Sequence, residues 1–313
     1  MHRYARWIIP AVFLLASAVA CSKDEGPPVK APPPVDPGVR LAKEQRVLRI
    51  GRIPFRSTRE MVKAHEPITT YLENVLSCDQ VQIVSATDYR RMAKLIENDQ
   101  IDIAWMGTKN YLRLHQETGV SAFLRPVRRG KPYYGGLIIA RADSGITRLS
   151  DLKGKVFAFV DKGSASGYLY PLALLLKSGI DPDQSFKEVK FLGGHDSVVY
   201  NVFLKKVDAG AVYDDARLVM KDPNQIKQLR VVAQLPRIPN EPIAISKRLS
   251  AARREEIVRA FLALSLKDAR TGEVLERFNA GFNDNVHGFV RASDADYDVV
   301  RELEKTVSAY GVK

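Results

Sequence analysis

Between residues 47 and 235 short apolar segments alternate with stretches of helical periodicity, and this alternation restricts the chain to an α/β fold. The strand-like segments span 47–53, 81–86, 101–107, 136–141, 156–161, 189–192, 207–213 and 229–235. Between them, apolar residues recur three and four positions apart. Thr87 precedes a run with Met92, Leu95 and Ile96 on one side, and Ser166 opens another through Leu172, Leu175 and Leu176. Residues 195–206 set Val198, Val199, Val202 and Phe203 on one stripe. The clearest amphipathic helices, 250–269 and 293–310, each begin at a serine, a favoured N-cap. Strands that alternate with helices imply parallel sheets.

The spacing divides these segments into two groups, one ending near Arg141 and one running from Leu149 to Leu235. The C-terminal helices have no strands of their own and are expected to pack on an existing lobe. A chain that leaves one lobe, builds a second and returns near 239–246 makes a cleft crossed by two hinge segments. A single wide sheet satisfies the same pattern.

The N-terminus fixes the compartment. His2, Arg3 and Arg6 form a basic head, followed by an apolar stretch over 7–20 that Pro10 interrupts. It is too short to span a bilayer comfortably and fits a signal peptide. The stretch ends Ala18-Val19-Ala20-Cys21, similar to a lipobox, in which Cys21 is acylated and becomes the new N-terminus. An ordinary secretory signal cleaved near Ala20 is the alternative. Residues 22–38 hold Pro27, Pro28, Pro32, Pro33, Pro34 and Pro37 and little that can be buried. Such a segment cannot offset its ordering entropy, and at ~3.1 Å per residue it extends on the order of 50 Å as a tether.

Cys78 is the only cysteine after Cys21, so no internal disulfide staples the fold, and a buried free thiol is expected. The formal charge of +12 becomes +10 once Arg3 and Arg6 leave with the signal. The basic residues are scattered, with pairs such as Arg90-Arg91, Arg128-Arg129 and Arg253-Arg254 but no long run. For an exported chain this favours anionic lipid or anionic ligands over nucleic acid, and a basic surface that serves only solubility fits equally well.

One segment suggests a site on physical grounds. A strand over 156–161 runs into a small-residue turn, Gly163-Ser164-Ala165-Ser166-Gly167, and then into a helix. A helix N-terminus offers unpaired N–H groups and partial positive charge to an anion, and Ser164 and Ser166 add hydroxyl donors. Taken alone, Ser166 could simply cap its helix.

Several pieces in a shared order carry a resemblance. They are Ile101-Asp102-Ile103-Ala104-Trp105-Met106-Gly107, Asp143-Ser144-Gly145-Ile146 and Leu149-Ser150-Asp151-Leu152-Lys153-Gly154-Lys155. Ser164-Ala165-Ser166-Gly167-Tyr168, Gly193-Gly194-His195-Asp196, Val207-Asp208-Ala209-Gly210-Ala211-Val212 and Ile238-Pro239-Asn240-Glu241-Pro242 follow. Together they resemble the phosphate-, phosphonate- and phosphite-binding proteins of ABC importers, over about residues 48–264. The resemblance implies a two-lobed type II periplasmic-binding-protein fold with a ligand cleft between its lobes. The organisation expected is a signal peptide (1–20), Cys21 with its tether (21–45), one lobe (46–140 plus 243–313) and a second (141–242).

By the same resemblance the ligand is a small phosphorus oxyanion gripped by the turn, where Ala165 stands in place of the usual threonine. His195 donates to that oxyanion or, in the bland alternative, only caps its helix. Relatives that bind aminoalkyl phosphonates place carboxylates at positions corresponding to Asp215, or to Asp214 one residue earlier, and to Glu241. Asp214 and Asp215 follow a strand at its C-terminal end, where open α/β sheets bind ligands. A carboxylate beside an anion site makes sense if the ligand carries an amine, or if the acid is paired with a neighbouring arginine. Met106 stands where relatives often carry a ligand-contacting aromatic residue, and Tyr134-Gly135-Gly136 keeps the tyrosine of a Tyr-x-Ser segment but not the serine.

The implied partners are an ABC permease and ATPase, with membrane attachment through lipid on Cys21 at the periplasmic or extracytoplasmic face. No cofactor or metal is implied. The chain has no G-x-S-x-G, P-loop, H-E-x-x-H or C-x-x-C motif, and its five histidines are dispersed, so an enzyme is not expected. The alternatives are a lipoprotein sensor of the same fold reporting to a membrane partner, and a binding protein for another small anion.

Overall fold

The computed structural model describes residues 47–52, 58–76, 78, 80–86, 88–128, 130–214, 216–264 and 286–311. The signal, Cys21 and the proline-rich tether lie outside these residues, as do Thr87, Asp215 and the end of the helix expected over 250–269. The chain begins β1 (Val47–Arg52), α1 (Thr58–Val75), β2 (Gln80–Ser85), α2 (Tyr89–Glu97), β3 (Ile103–Trp105), α3 (Thr108–Thr118) and β4 (Ser121–Arg128). It continues through β5 (Tyr133–Tyr134), β6 (Gly136–Arg141), β7 (Val156–Phe159), α4 (Tyr170–Lys177), α5 (Pro182–Ser185), β8 (Glu188–Phe191) and α6 (His195–Phe203). Next come β9 (Ala209–Tyr213), α7 (Pro223–Ile226), β10 (Leu229–Gln234), β11 (Ile238–Pro239), β12 (Ile243–Ile245), α8 (Ala251–Ala263), β13 (Val286–Arg291) and α9 (Asp298–Ala309).

Each of the eight strand-like segments contains a strand, and they divide between two sheets. The first sheet has the order β13-β4-β12-β3-β1-β2 and the second β10-β6-β9-β7-β8. β1, β2 and β3 are mutually parallel, as are β7, β8 and β9, and antiparallel strands extend each set. The structure departs from the sequence expectations in three ways. The sheets are mixed rather than parallel throughout. The first sheet is left at Arg128, not near Arg141, because β6 pairs with β9 and β10 in the second. The C-terminal region does contribute strands, since β12 inserts between β3 and β4 while β13 covers the edge of β4.

Burial explains why the central strands show no alternation. β3 and β12 are buried at every position, so both of their faces must be apolar. α1 persists through Pro67 because Met61, His65, Ile68 and Leu72 form one buried stripe at helical spacing. A helix-interior proline costs ~3 kcal/mol, while each fully buried large side chain contributes ~1.5–3 kcal/mol, so the stripe prevails. α2 is capped by Asp88, whose Oδ1 accepts the Arg91 N–H at 2.7 Å. Cys78 is a free, half-buried thiol whose Sγ accepts from Arg253 Nη2 at 2.8 Å.

Two short segments join the lobes and pair with each other. β5 and β11 are antiparallel, with Tyr134 opposite Ile238 and Tyr133 opposite Pro239. Asn240, fully buried, secures this crossing. Its side-chain amide donates to the carbonyls of Pro126 (2.7 Å) and Lys131 (3.0 Å), and its N–H to that of Pro132 (3.1 Å). The C-terminal segment reinforces it, for Tyr297 Oη donates to the Asn240 carbonyl at 3.3 Å. α9 then packs against both α3 and α4.

Candidate functional site

The parallel registers of β7, β8 and β9 place their C-terminal ends along one edge of the second sheet. The predicted turn follows β7, His195 follows β8 and Asp214 follows β9. After β7 the chain turns sharply. Ser164 N–H donates to the Asp161 carbonyl (2.9 Å), and Gly163 N–H donates to Asp161 Oδ1 (2.7 Å). Residues Ala165–Leu169 then form a π-helical turn that leads into α4. Such turns are rare and concentrate at functional sites.

The cap of this turn is Ser164, not Ser166. Ser164 Oγ accepts the Gly167 N–H at 3.0 Å, which leaves the hydroxyl proton to be donated elsewhere. Gly167 is required here by space. An added Cβ would stand 2.5 Å from Val160 Cγ2 and 2.9 Å from Ser164 Oγ. Ser164, Ala165, Ser166 and Gly167 are all buried, so hydroxyls on this turn act in a low-dielectric setting.

His195 begins α6, and its orientation is set from β9. The Tyr213 N–H donates to His195 Nδ1 at 3.2 Å, and the two rings meet edge to face at 4.8 Å. With Nδ1 accepting, the proton of the neutral imidazole sits on Nε2, which is then a donor. Burial holds the imidazole down at about 4, against the opposing pull of the Glu241 carboxylate. His195 is therefore a neutral donor at physiological pH.

Of the predicted carboxylates, Asp214 is committed to the hinge. Its Oδ2 accepts the Gly135 N–H at 3.1 Å, and its own N–H donates to the Gly135 carbonyl at 3.1 Å. Asp215 lies outside the described residues. Glu241 follows β11 and forms an ion pair with Arg128 at the end of β4. Burial alone would raise the Glu241 carboxyl, but the Arg128 and Arg52 guanidiniums outweigh it and hold the group below its usual value. The arginine pairing, one of the two explanations for an acid in this position, is present.

Met106 is wholly buried in the core next to the hinge, and its N–H donates to the Pro242 carbonyl at 3.2 Å. Tyr134 is half-buried in β5. Gly136 cannot carry the serine of the related segment without rearrangement, because a Cβ there would stand 2.5 Å from Leu235 Cδ1.

Three cations escaped the sequence reading. Arg52 ends β1, is 4% exposed and lies with its guanidinium 4.0 Å above the Trp105 ring. Arg128 ends β4, and Lys109 stands in the first turn of α3. The only sequence signal for the two arginines was a position at the C-terminal end of a strand. The assembled features are hydroxyls, an imidazole N–H and guanidiniums at the ends of two sheets. All of these groups can donate hydrogen bonds to an anion. Among the described residues no cluster of His, Cys, Asp or Glu could hold a metal ion.

Comparison with known proteins identifies related chains. The profile of a family described as "ABC transporter, phosphonate, periplasmic substrate-binding protein" matches residues 50–297. The chain is 27% identical over 279 residues to the phosphate-import protein PhnD of Mycolicibacterium smegmatis, across 82% of this chain and 84% of that protein. It is 26% identical over 278 residues to the phosphonates-binding periplasmic protein of Escherichia coli, across 86% and 79% of the two. A crystal structure of a binding protein component of an ABC phosphonate transporter from Pseudomonas aeruginosa is similar with a TM-score of 0.73. It is 25% identical and covers 84% of this chain and 86% of that one.

Proposed function

The chain belongs to the family of periplasmic substrate-binding proteins of ABC phosphonate transporters, and we propose that it holds its ligand, a phosphonate, phosphite or phosphate, on the turn at 164–167. The observation that carries this reading is the donor set. Ser164 accepts one N–H, from Gly167, and keeps its hydroxyl proton to donate, Ser166 is buried beside it, and His195 is oriented as an Nε2–H donor. All three recognise tetrahedral oxygens without requiring a charge change in the protein. The first N–H groups of a helical run have no partner within it and favour an anion at the same point.

The ligand is held for delivery to an ABC permease and ATPase, and the protein performs no chemistry on it. Glu241 serves to position Arg128 and to balance charge at the cleft, rather than to recognise an amine. The lipobox-like Ala18-Val19-Ala20-Cys21 supports attachment at the extracytoplasmic face through acylated Cys21. Cys21→Ala then moves the protein from the membrane fraction to the soluble exported one.

A thermal-shift screen of phosphate, phosphite, methylphosphonate, aminoethylphosphonate and sulfate tests the reading. A ligand at a hundredfold excess over its Kd stabilises by ~2.7 kcal/mol, which raises Tm by about 5–10 °C in a domain of this size. No shift with any phosphorus compound, together with a shift from an uncharged solute, rejects it.

A further inference from the structure

Lys109 leaves the first lobe from α3 and meets the second lobe at two points. Its Nζ donates to the Lys162 carbonyl at 2.7 Å and stands 4.9 Å from the centre of the Tyr168 ring. Lys162 lies in the sharp turn that Asp161 holds, and Tyr168 lies in the π-helical turn that follows. The two contacts therefore fall on either side of residues 164–167. Burial holds the Lys109 ammonium below its usual value, with Lys162 adding to the effect and Glu304 on α9 and Asp161 on that same turn opposing it. Burial raises the Glu304 carboxyl, with Lys109 and Arg301 opposing. The ammonium thus sits among groups from α3, the oxyanion turn and α9.

We propose that Lys109 is a positioning residue for oxyanion capture, its ammonium bridging the lobes onto the Lys162 carbonyl and the Tyr168 ring and so fixing the turn that grips the ligand. The bridge exists only when the lobes are together, because its donor and its acceptors belong to different lobes. Lys109 acts through the turn and touches no ligand atom, so its contribution is the same for every oxyanion the turn accepts. It holds the lobes together whether or not the turn is occupied, and once a ligand is bound it slows dissociation. What the bridge retains rests on the oxyanion reading above; the bridge itself does not.

Titration of wild type, Lys109→Met and Lys109→Arg with phosphate and with methylphosphonate tests the proposal. Methionine keeps the apolar stem, whereas arginine keeps a cation that can both donate and stack. Loss of a charge-assisted hydrogen bond predicts Kd about ten- to a hundredfold higher in Lys109→Met, by one factor for both ligands and in the dissociation rate. Lys109→Arg recovers to within about threefold. Unchanged affinity, a factor that differs between the ligands, or failure of arginine to recover binding overturns the proposal. So does a lower Tm of Lys109→Met with unaltered dissociation. Small-angle scattering of the ligand-free proteins reads the bridge independently, with a larger radius of gyration for Lys109→Met and equal radii counting against it. Should wild type bind neither compound, the oxyanion reading falls while the scattering comparison still decides the bridge.

Discussion

Adding one methyl group at Gly167 tests the oxyanion turn directly. The new Cβ would stand 2.5 Å from Val160 Cγ2, 2.6 Å from Val160 Cβ and 2.9 Å from Ser164 Oγ. Ordinary contact begins at 3.4 Å, so something must move by about 0.9 Å (3.4 − 2.5). Val160 cannot yield easily, because the clash reaches its Cβ and its N–H is bonded to the Gly167 carbonyl at 3.1 Å. The turn moves instead and draws the Gly167 N–H off Ser164 Oγ. Overpacking costs ~1–3 kcal/mol and loss of the cap ~1 kcal/mol, which together lower Tm by roughly 5–15 °C. A shift of this size stretches a ligand hydrogen bond of ~2.8 Å beyond useful range. Each charge-assisted bond lost costs ~1.5–3 kcal/mol, so Gly167→Ala raises Kd about ten- to a hundredfold or more. Calorimetric titration with methylphosphonate and with phosphate, well below the variant's own Tm, measures the effect. Affinity within about threefold of wild type would refute the assignment of the site to this turn.

Three further outcomes follow from the electrostatics. His195→Ala weakens methylphosphonate about ten- to a hundredfold, and the wild-type to variant ratio stays constant from about pH 5.5 to about pH 8, because the imidazole titrates at about 4 and donates while neutral. A ratio that grows on acidification shows an imidazolium donor instead. Glu241→Gln leaves Arg128 without its carboxylate and lowers stability by ~1–3 kcal/mol, a partly exposed version of a broken buried pair. It changes the affinities for methylphosphonate and aminoethylphosphonate by the same factor; a loss confined to the amine-bearing compound restores an amine-recognition role. Finally, burial depresses His65 to about 3 and His195 to about 4 in the folded protein, below the unfolded value of 6.5. The unfolded chain then binds more protons below 6.5, so stability is complete above that pH and falls by ~1.4 kcal/mol per pH unit per histidine on acidification toward 4. Urea denaturation across this range reads the slope, and His65→Gln removes one histidine's share of it; an unchanged slope contradicts the assignment.

The parallel strands were legible because each is a short apolar run between polar segments. β4 was not, since Arg125, Pro126 and Arg128 interrupt its apolar positions and only the alternate burial of Ala122, Leu124 and Pro126 marks it as a strand. β12 is three residues long, too short to show a period. α1 was hidden by Pro67, which reads locally as a break although a buried stripe spans it. Within the turn, the sequence shows the support of Ser164, because Gly167 is three positions away, whereas His195 is oriented by Tyr213, 18 positions on, across a helix and a strand. The partners of Glu241 and Lys109 were not legible. Arg128 meets Glu241 across 113 positions and Lys109 meets Lys162 across 53, and no local pattern encodes such pairings.

The pairing of β5 with β11 has a mechanical consequence. Two independent tethers would let the lobes bend, twist and slide past each other. Here the tethers are hydrogen-bonded into one ribbon, and Asn240 fastens that ribbon to the carbonyls of Pro126, Lys131 and Pro132. Twist and shear break main-chain bonds in the ribbon, whereas flexion along its length keeps them. Flexion along the ribbon is therefore the motion that these hydrogen bonds resist least. Release of the ligand and a change of shape presented to a membrane partner follow that motion at the smallest cost in main-chain bonds.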